Sequence, residues 1–259
     1  MDLGLTEMWS SRELLYFFVW KEVKIRYKQT VIGALWAVLQ PLMTMIIFTF
    51  FFGSLLNAPS EGIPYPVFAY SGLILWTYFS NSVGQSSNSL IANSNLVSKV
   101  YFPRTFIPLS LCLTGLIDFV IALSIAFALI LYFGVAFTPM MVLLLVPLLI
   151  TFVLASGLAL WLSAINVKYR DVAYIVPFFI QLLFFATPVV YASSLIPSQY
   201  SWIITANPLS GLFSLQRGVL LGTPVDWGLV AISTTLAIVI FVTGLIYFRR
   251  YERRIADVI

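Results

Sequence analysis

Six long apolar runs leave this chain few ways to fold. They lie at roughly residues 31–56, 65–86, 105–133, 139–165, 172–192 and 227–248. An α-helix needs about 20 apolar residues to cross a bilayer. The runs are continuously apolar rather than alternating. Backbone groups in hydrocarbon must find partners within the chain, so helices are expected and a barrel is not. Only 9% of the 259 residues are charged and 61% are hydrophobic, where a soluble domain carries about a quarter charged residues. So few charges cannot coat a water-facing surface of this size, and much of the solvent must be lipid. The expected fold is an all-α integral membrane domain over residues 1–259, with six transmembrane helices.

Residues 195–222 are also fairly apolar, but Asn207-Pro208 divides them into halves too short to cross. Such pieces read as short re-entrant or interfacial helices between spans five and six. Charge placement supports the even count. Of the 14 basic residues, all but Arg217 fall in four places: before the first run (Arg12, Lys21, Lys24, Arg26, Lys28), near 89–104, near 166–171, and in the tail (Arg249, Arg250, Arg253, Arg254). Six spans put all four on one side, which the positive-inside rule makes the cytoplasm. Both termini are then cytoplasmic. Residues 1–13 carry Asp2, Glu7 and Glu13 and do not read as a cleavable signal.

The segment at 12–28 reads as an interfacial amphipathic helix. At 100° per residue, Tyr16, Val19, Trp20, Val23 and Tyr27 share a face beside a stripe of Lys21, Lys24 and Lys28, and Glu22 and Arg26 have pairing distance in sequence. It is either a membrane anchor or a lever that also touches a cytoplasmic partner. In the first span, Trp36, Gln40, Thr44, Phe48 and Phe51 occupy about a third of the circumference. Flat rings beside hydrogen-bonding groups suit sugars; ordinary packing accounts for the same pattern. Asp118 sits mid-way along the third span, where an ionised carboxylate costs about 3 kcal/mol. It is a functional candidate or a packing determinant, and no basic residue within a span stands ready to pair with it.

Several function classes are disfavoured. There is no His, and the single Cys112 allows neither an internal disulfide nor a metal cluster. Basic residues in short loops, rather than on one polar face, argue against nucleic acid. One intramembrane acid without a repeat gives little support to gradient-coupled transport. No phosphate-cradling Gly-x-x-x-x-Gly-Lys-Ser/Thr run occurs, so the chain binds no nucleotide cofactor of its own, and no paired catalytic carboxylates suggest an enzyme. The segments 93–104 and 166–172 read as docking loops, the first with one or two helical turns and a Pro stop, the second with Lys168, Arg170, Asp171 and an exposed Tyr169. Solvated positive-inside loops would look similar.

Taken together, these segments resemble the ABC-2-type permeases of the polysaccharide-export group. The resemblance rests on the run from Lys24 to Trp36 followed by Pro41, on Asn166 to Val172 (Asn-x-x-Tyr-Arg-Asp-hydrophobic), on Thr187 to Tyr191, and on Asn207-Pro208-Leu209. It spans nearly the whole chain. It implies a homodimeric permease working with two copies of a separate nucleotide-binding subunit, which holds ATP and Mg. The substrate would be a lipid-linked polysaccharide, O-antigen-like, with capsule, teichoic acid and small-molecule export as alternatives. Coupling to the ATPase would involve Lys21, Lys24, Arg26, Lys28, Asn95, Lys99 and Arg104. The channel would be lined by Trp36, Phe48 and Phe51, with Gln40 and Thr44 on the same face, and by Phe184, Phe185 and Tyr191. Asn166, Tyr169, Arg170 and Asp171 would form the cytoplasmic motif, and Trp202 and Asn207 would sit near the outer exit.

Overall fold

The computed structural model describes residues 9–28, 33–100 and 102–258. Residues 29–32, which belong to the first resemblance motif and the start of the first apolar run, lie outside the described residues, as do Asp2, Glu7, Tyr101 and the side chains of Arg253 and Arg254. Among the described residues the structure is helical without strands. In chain order the helices are α1 (Arg12–Lys28), α2 (Trp36–Phe48), α3 (Tyr65–Ser87), α4 (Ser89–Ala92), α5 (Ser94–Lys99), α6 (Phe106–Tyr132), α7 (Leu145–Lys168), α8 (Val172–Ala186), α9 (Ser201–Ala206), α10 (Ser210–Leu221) and α11 (Trp227–Val258).

Among the described residues, four helical stretches are long and apolar enough to cross a membrane: Trp36–Leu55, Phe106–Tyr132, Pro139–Lys168 and Trp227–Glu252. The other two expected spans differ from these. α3 is long, but Thr77, Asn81, Gln85 and several serines dilute its apolar character, and most of it is buried against other helices. α8 is apolar but only 15 residues long, because the chain leaves helical geometry at Thr187 ahead of Pro188. The first span continues α2 through a π-helical stretch, Thr49–Leu55. α7 runs on to Lys168, so Asn166 and Val167 are helical rather than part of a loop. The region 195–222 divides as expected, into α9 and α10 on either side of Asn207-Pro208.

α3 is the central helix and packs against α2, α6, α7, α8 and α10. Its first turn carries Pro66, whose fixed φ suits a helix start. α7 and α11 form the most extensive pair, through contact of bare backbone. A Cβ on Gly157 would lie 2.6 Å from Phe241 Cα, and one on Gly244 would lie 2.5 Å from Gly157 O. Small residues permit such close approach between apolar helices, where dispersion and not hydrophobic exclusion holds them together. Trp161 stacks on Tyr247 beside this contact, with ring centres 4.3 Å apart.

Among the described residues the core has two large parts and a small third one of Leu215, Val219 and Val230. A large central cluster surrounds Tyr70, Phe79, Phe119 and Phe213. A second gathers Phe18, Leu90, Val97, Phe102, Phe106, Leu160 and Phe248. The second cluster lies at the end of the bundle that carries the basic segments, and it ties α1, α4 and α5 to α6, α7 and α11. The Tyr16 and Trp20 side of α1 looks outward, while Phe18 is the residue it buries.

Gly157→Ala or Gly244→Ala drives a methyl into backbone and lowers stability by about 1–3 kcal/mol. At Gly84 the added methyl meets only Ile180 Cδ1, at 3.6 Å, so Gly84→Ala is neutral or stabilising. Thermal unfolding of the detergent-solubilised variants checks this contrast.

Candidate functional site

The candidate site is a cleft of about 640 Å³ between α1, α2, α3 and α6. Asp118 forms part of its wall, half-way along α6. Its carboxylate does not stand alone. Arg26 donates from Nη1 to Asp118 Oδ2, and Tyr27 donates its hydroxyl to Asp118 Oδ1. Arg26 Nη2 also donates to Gln85 Oε1 at 2.6 Å. The partner of the mid-span acid comes from α1, not from another span. Burial first, and then the neighbouring carboxylate, pushes the Tyr27 phenol well above its usual range, so it stays a donor at neutral pH. Arg26 and Asp118 cancel one another's charge.

The cleft wall continues with Trp36, Gln40, Thr77, Asn81 and the apolar Ile74 and Phe119. Its size falls within the range of about 300–1,000 Å³ typical of ligand sites. A neutral ion pair, three amides and an indole on apolar walls offer hydrogen bonds and a ring face to hydroxyl-rich groups.

The structure separates the expected lining residues into two places. Trp36 and Gln40 face the cleft. Thr44 turns its hydroxyl back to Gln40 O at 2.8 Å, beside Pro41, whose ring removes a backbone donor. Phe48 belongs to a different cluster: its ring lies 5.5 Å from Phe52 and 5.7 Å from Phe184. Phe184 also meets Trp76 at 5.2 Å and Phe185 at 5.4 Å. Phe51 and Phe185 are exposed on the chain's surface. Tyr191 closes back on the end of α8, donating to Phe185 O at 2.8 Å. Trp76 is a member of this cluster that sequence reasoning missed, because a helical wheel drawn for each span does not show which rings meet between spans.

The expected coupling residues also sort themselves. Lys21 donates to Asn93 Oδ1 at 2.9 Å and lies 3.4 Å from Glu22, so α1 is fastened to the α4–α5 elbow. Lys24 sits over the Trp20 ring. Lys24, Lys28, Asn95 and Lys99 are exposed. Arg104 turns inward, its backbone N–H donating to Glu252 Oε1 at 2.8 Å and its guanidinium to Glu252 O. In the 166–172 motif, Asn166 is buried and donates to Ser87 O at 2.9 Å. It joins α7 to the α3–α4 corner, while Tyr169, Arg170 and Asp171 are exposed. Two further motifs meet each other: Asn207 Nδ2 donates to Thr187 Oγ1 at 2.7 Å, and its Oδ1 accepts from Leu209 N–H at 3.0 Å.

Known proteins share this sequence pattern. The ABC-2 type transporter family matches residues 13–221, from the start of α1 to the end of α10. The chain is 31% identical to the O-antigen export system permease protein RfbA of Klebsiella pneumoniae over 250 residues, 95% of either chain. It is 34% identical to the protein of the same name from Myxococcus xanthus over 216 residues, 82% of either chain. To the polysialic acid transport protein KpsM of Escherichia coli it is 24% identical, over 76% of this chain and 77% of that one.

Asp118→Asn removes the charge that Arg26 and Tyr27 both serve, and lowers stability by about 2 kcal/mol. Arg26→Gln combined with Asp118→Asn costs less than the two singles together, because they share one interaction. Thermal unfolding of the four proteins measures the coupling; strictly additive losses would show that the pair contributes nothing.

Proposed function

The chain belongs to the ABC-2 type transporter family, and from that premise we propose that it is the membrane subunit of an ATP-driven exporter that moves a lipid-linked, O-antigen-like polysaccharide across the inner membrane. The observation that carries this reading is the 31% identity to an O-antigen export permease across 95% of both chains. The cleft supports it. Trp36, Gln40, Asn81 and Tyr27 offer ring faces and hydrogen-bonding groups to a sugar on otherwise apolar walls.

In this reading the permease is a homodimer with two nucleotide-binding subunits, which hold ATP and Mg. Six crossings place both termini and the basic end in the cytoplasm, with α3 and α8 completing the count and α9 and α10 re-entrant from the other face. Lys24, Lys28, Asn95, Lys99 and the Tyr169-Arg170-Asp171 turn offer exposed charge and one ring to the partner. ATP closes the partner subunits, and their movement presses on α1 and the α4–α5 elbow. Because Lys21–Asn93 and Arg26–Asp118 join these pieces to the bundle, the push reaches α6 and the cleft wall as a rigid-body shift. Phe51 and Phe185, exposed on a single chain, would face the second copy across the path of the sugar.

The test is deletion of the gene, with analysis of surface polysaccharide and of lipid-linked polymer in the cell. The expected result is loss of surface polymer with accumulation inside, restored by the intact gene. Normal surface glycans without accumulation would overturn the reading and turn attention to small-molecule export.

A further inference from the structure

Three rings stack in a column on the surface of the α7–α11 pair, at the basic end of the molecule. Trp161 lies nearly parallel to Tyr247, at an interplanar angle of 12°, and Tyr251 follows Tyr247 with ring centres 4.6 Å apart. All three are half-buried. Trp161 Nε1 donates to Thr243 Oγ1 at 3.3 Å, which fixes the indole across the two helices. Lys168, two turns beyond Trp161 on α7, sits over the Tyr169 ring at 4.7 Å and within electrostatic reach of Tyr251 and Tyr247. Arg250 is exposed on α11 beside the two tyrosines.

The charge here is one-sided. Glu252 accepts from Arg249 Nη1 at 2.8 Å and from Arg104 N–H at 2.8 Å, and Asp171 is outnumbered by Lys168, Arg170 and Arg250. Among the described residues Lys168 and Arg250 pair with no carboxylate. The apolar surface is one-sided as well. Ile238, Val239 and Val242 are exposed along the same helix. At 100° per residue Val239, Thr243, Tyr247 and Arg250 succeed one another on one face. An aliphatic stripe therefore runs through a layer of rings to two cations, where the apolar stretches of α7 and α11 end at Lys168 and Glu252. An occupant that covers all of this is aliphatic at one end and anionic at the other. A water-soluble protein subunit would meet the cations and leave the stripe bare. Aromatic rings settle at the depth where hydrocarbon gives way to headgroups, and cations at that depth attract anionic lipid.

We propose that this face binds an anionic phospholipid of the surrounding bilayer, with its phosphate on Lys168 and Arg250, its glycerol region against the ring column and an acyl chain along the Val239–Val242 stripe. The inference does not depend on what the permease carries. Purified full-length permease in detergent would be titrated with phosphatidylglycerol and, separately, with phosphatidylcholine, and bound lipid would be counted by native mass spectrometry. The expected result is a first phosphatidylglycerol held about tenfold more tightly than phosphatidylcholine. Lys168→Gln with Arg250→Gln removes most of that preference, at unchanged thermal midpoint in lipid-free detergent. Lys168→Arg with Arg250→Lys retains it, because charge is what the headgroup needs. Excess inorganic phosphate does not displace the lipid, since it has no chain to lay on the stripe. Equal binding of the two lipids by the wild type, an unchanged preference in the Gln variant, or displacement by phosphate would overturn the proposal. So would a Gln variant that keeps its lipid preference but no longer co-purifies with the proposed ATP-hydrolysing subunit, which would assign the face to that protein.

Discussion

One carboxylate half-way along α6 organises the basic half of this molecule. Charge at that depth is costly unless it is paired or hydrogen-bonded. Asp118 receives both kinds of help from one source, the last turn of α1, through Arg26 and Tyr27. The helix that would otherwise lie free at the membrane surface is therefore drawn against α6. Trp36, just after α1, is placed on the cleft wall beside the pair. Lys21 carries the same helix to Asn93, and Phe18 seats it in the second core cluster. These contacts join α1 and the α4–α5 elbow to the transmembrane bundle as one unit, which is what a lever between a cytoplasmic motor and a transport path requires.

Both ends of the bundle are fastened by bonds between distant segments that pair a side chain with a backbone group. At the basic end Asn166 donates to Ser87 O, and Arg104 N–H donates to Glu252 Oε1. At the other end side chains bond to backbone carbonyls. Val189 O serves Arg217, Val190 O accepts from Tyr65 at 2.7 Å, and Val219 O accepts from Thr138 at 2.7 Å. Gly72 belongs to this second arrangement, since a Cβ there would lie 2.3 Å from Val189 O. The non-helical stretch after α8 thus has its polar backbone absorbed by neighbours, the condition under which irregular chain is tolerated at membrane depth.

Much of the fold was legible in the sequence. The long apolar runs located the principal helices, and Asn207-Pro208 correctly divided the last interhelical region. Boundaries failed where local geometry overrode composition. α8 stops at Ala186 because Thr187-Pro188 follows, although the apolar run continues, and α7 carries Asn166 inside its last turn. The pairing of Asp118 is not legible within the spans, because Arg26 arrives from outside them, 92 residues earlier. Arg217, set apart in the sequence from the other basic residues, is buried within α10. Periodicity places Trp36, Gln40, Thr44, Phe48 and Phe51 on one face, yet it carries no information about neighbours, and α2 meets α6 near its start and α8 near its end.

The proposed lever is tested most directly by coupling. The complex of this chain with the proposed ATP-hydrolysing partner would be reconstituted in vesicles, and polymer translocated per ATP hydrolysed would be compared between wild type and Asp118→Asn. With α1 loosened from α6, ATP hydrolysis should continue while the polymer moved per ATP falls at least tenfold. An unchanged ratio in a folded, fully assembled variant would contradict the account.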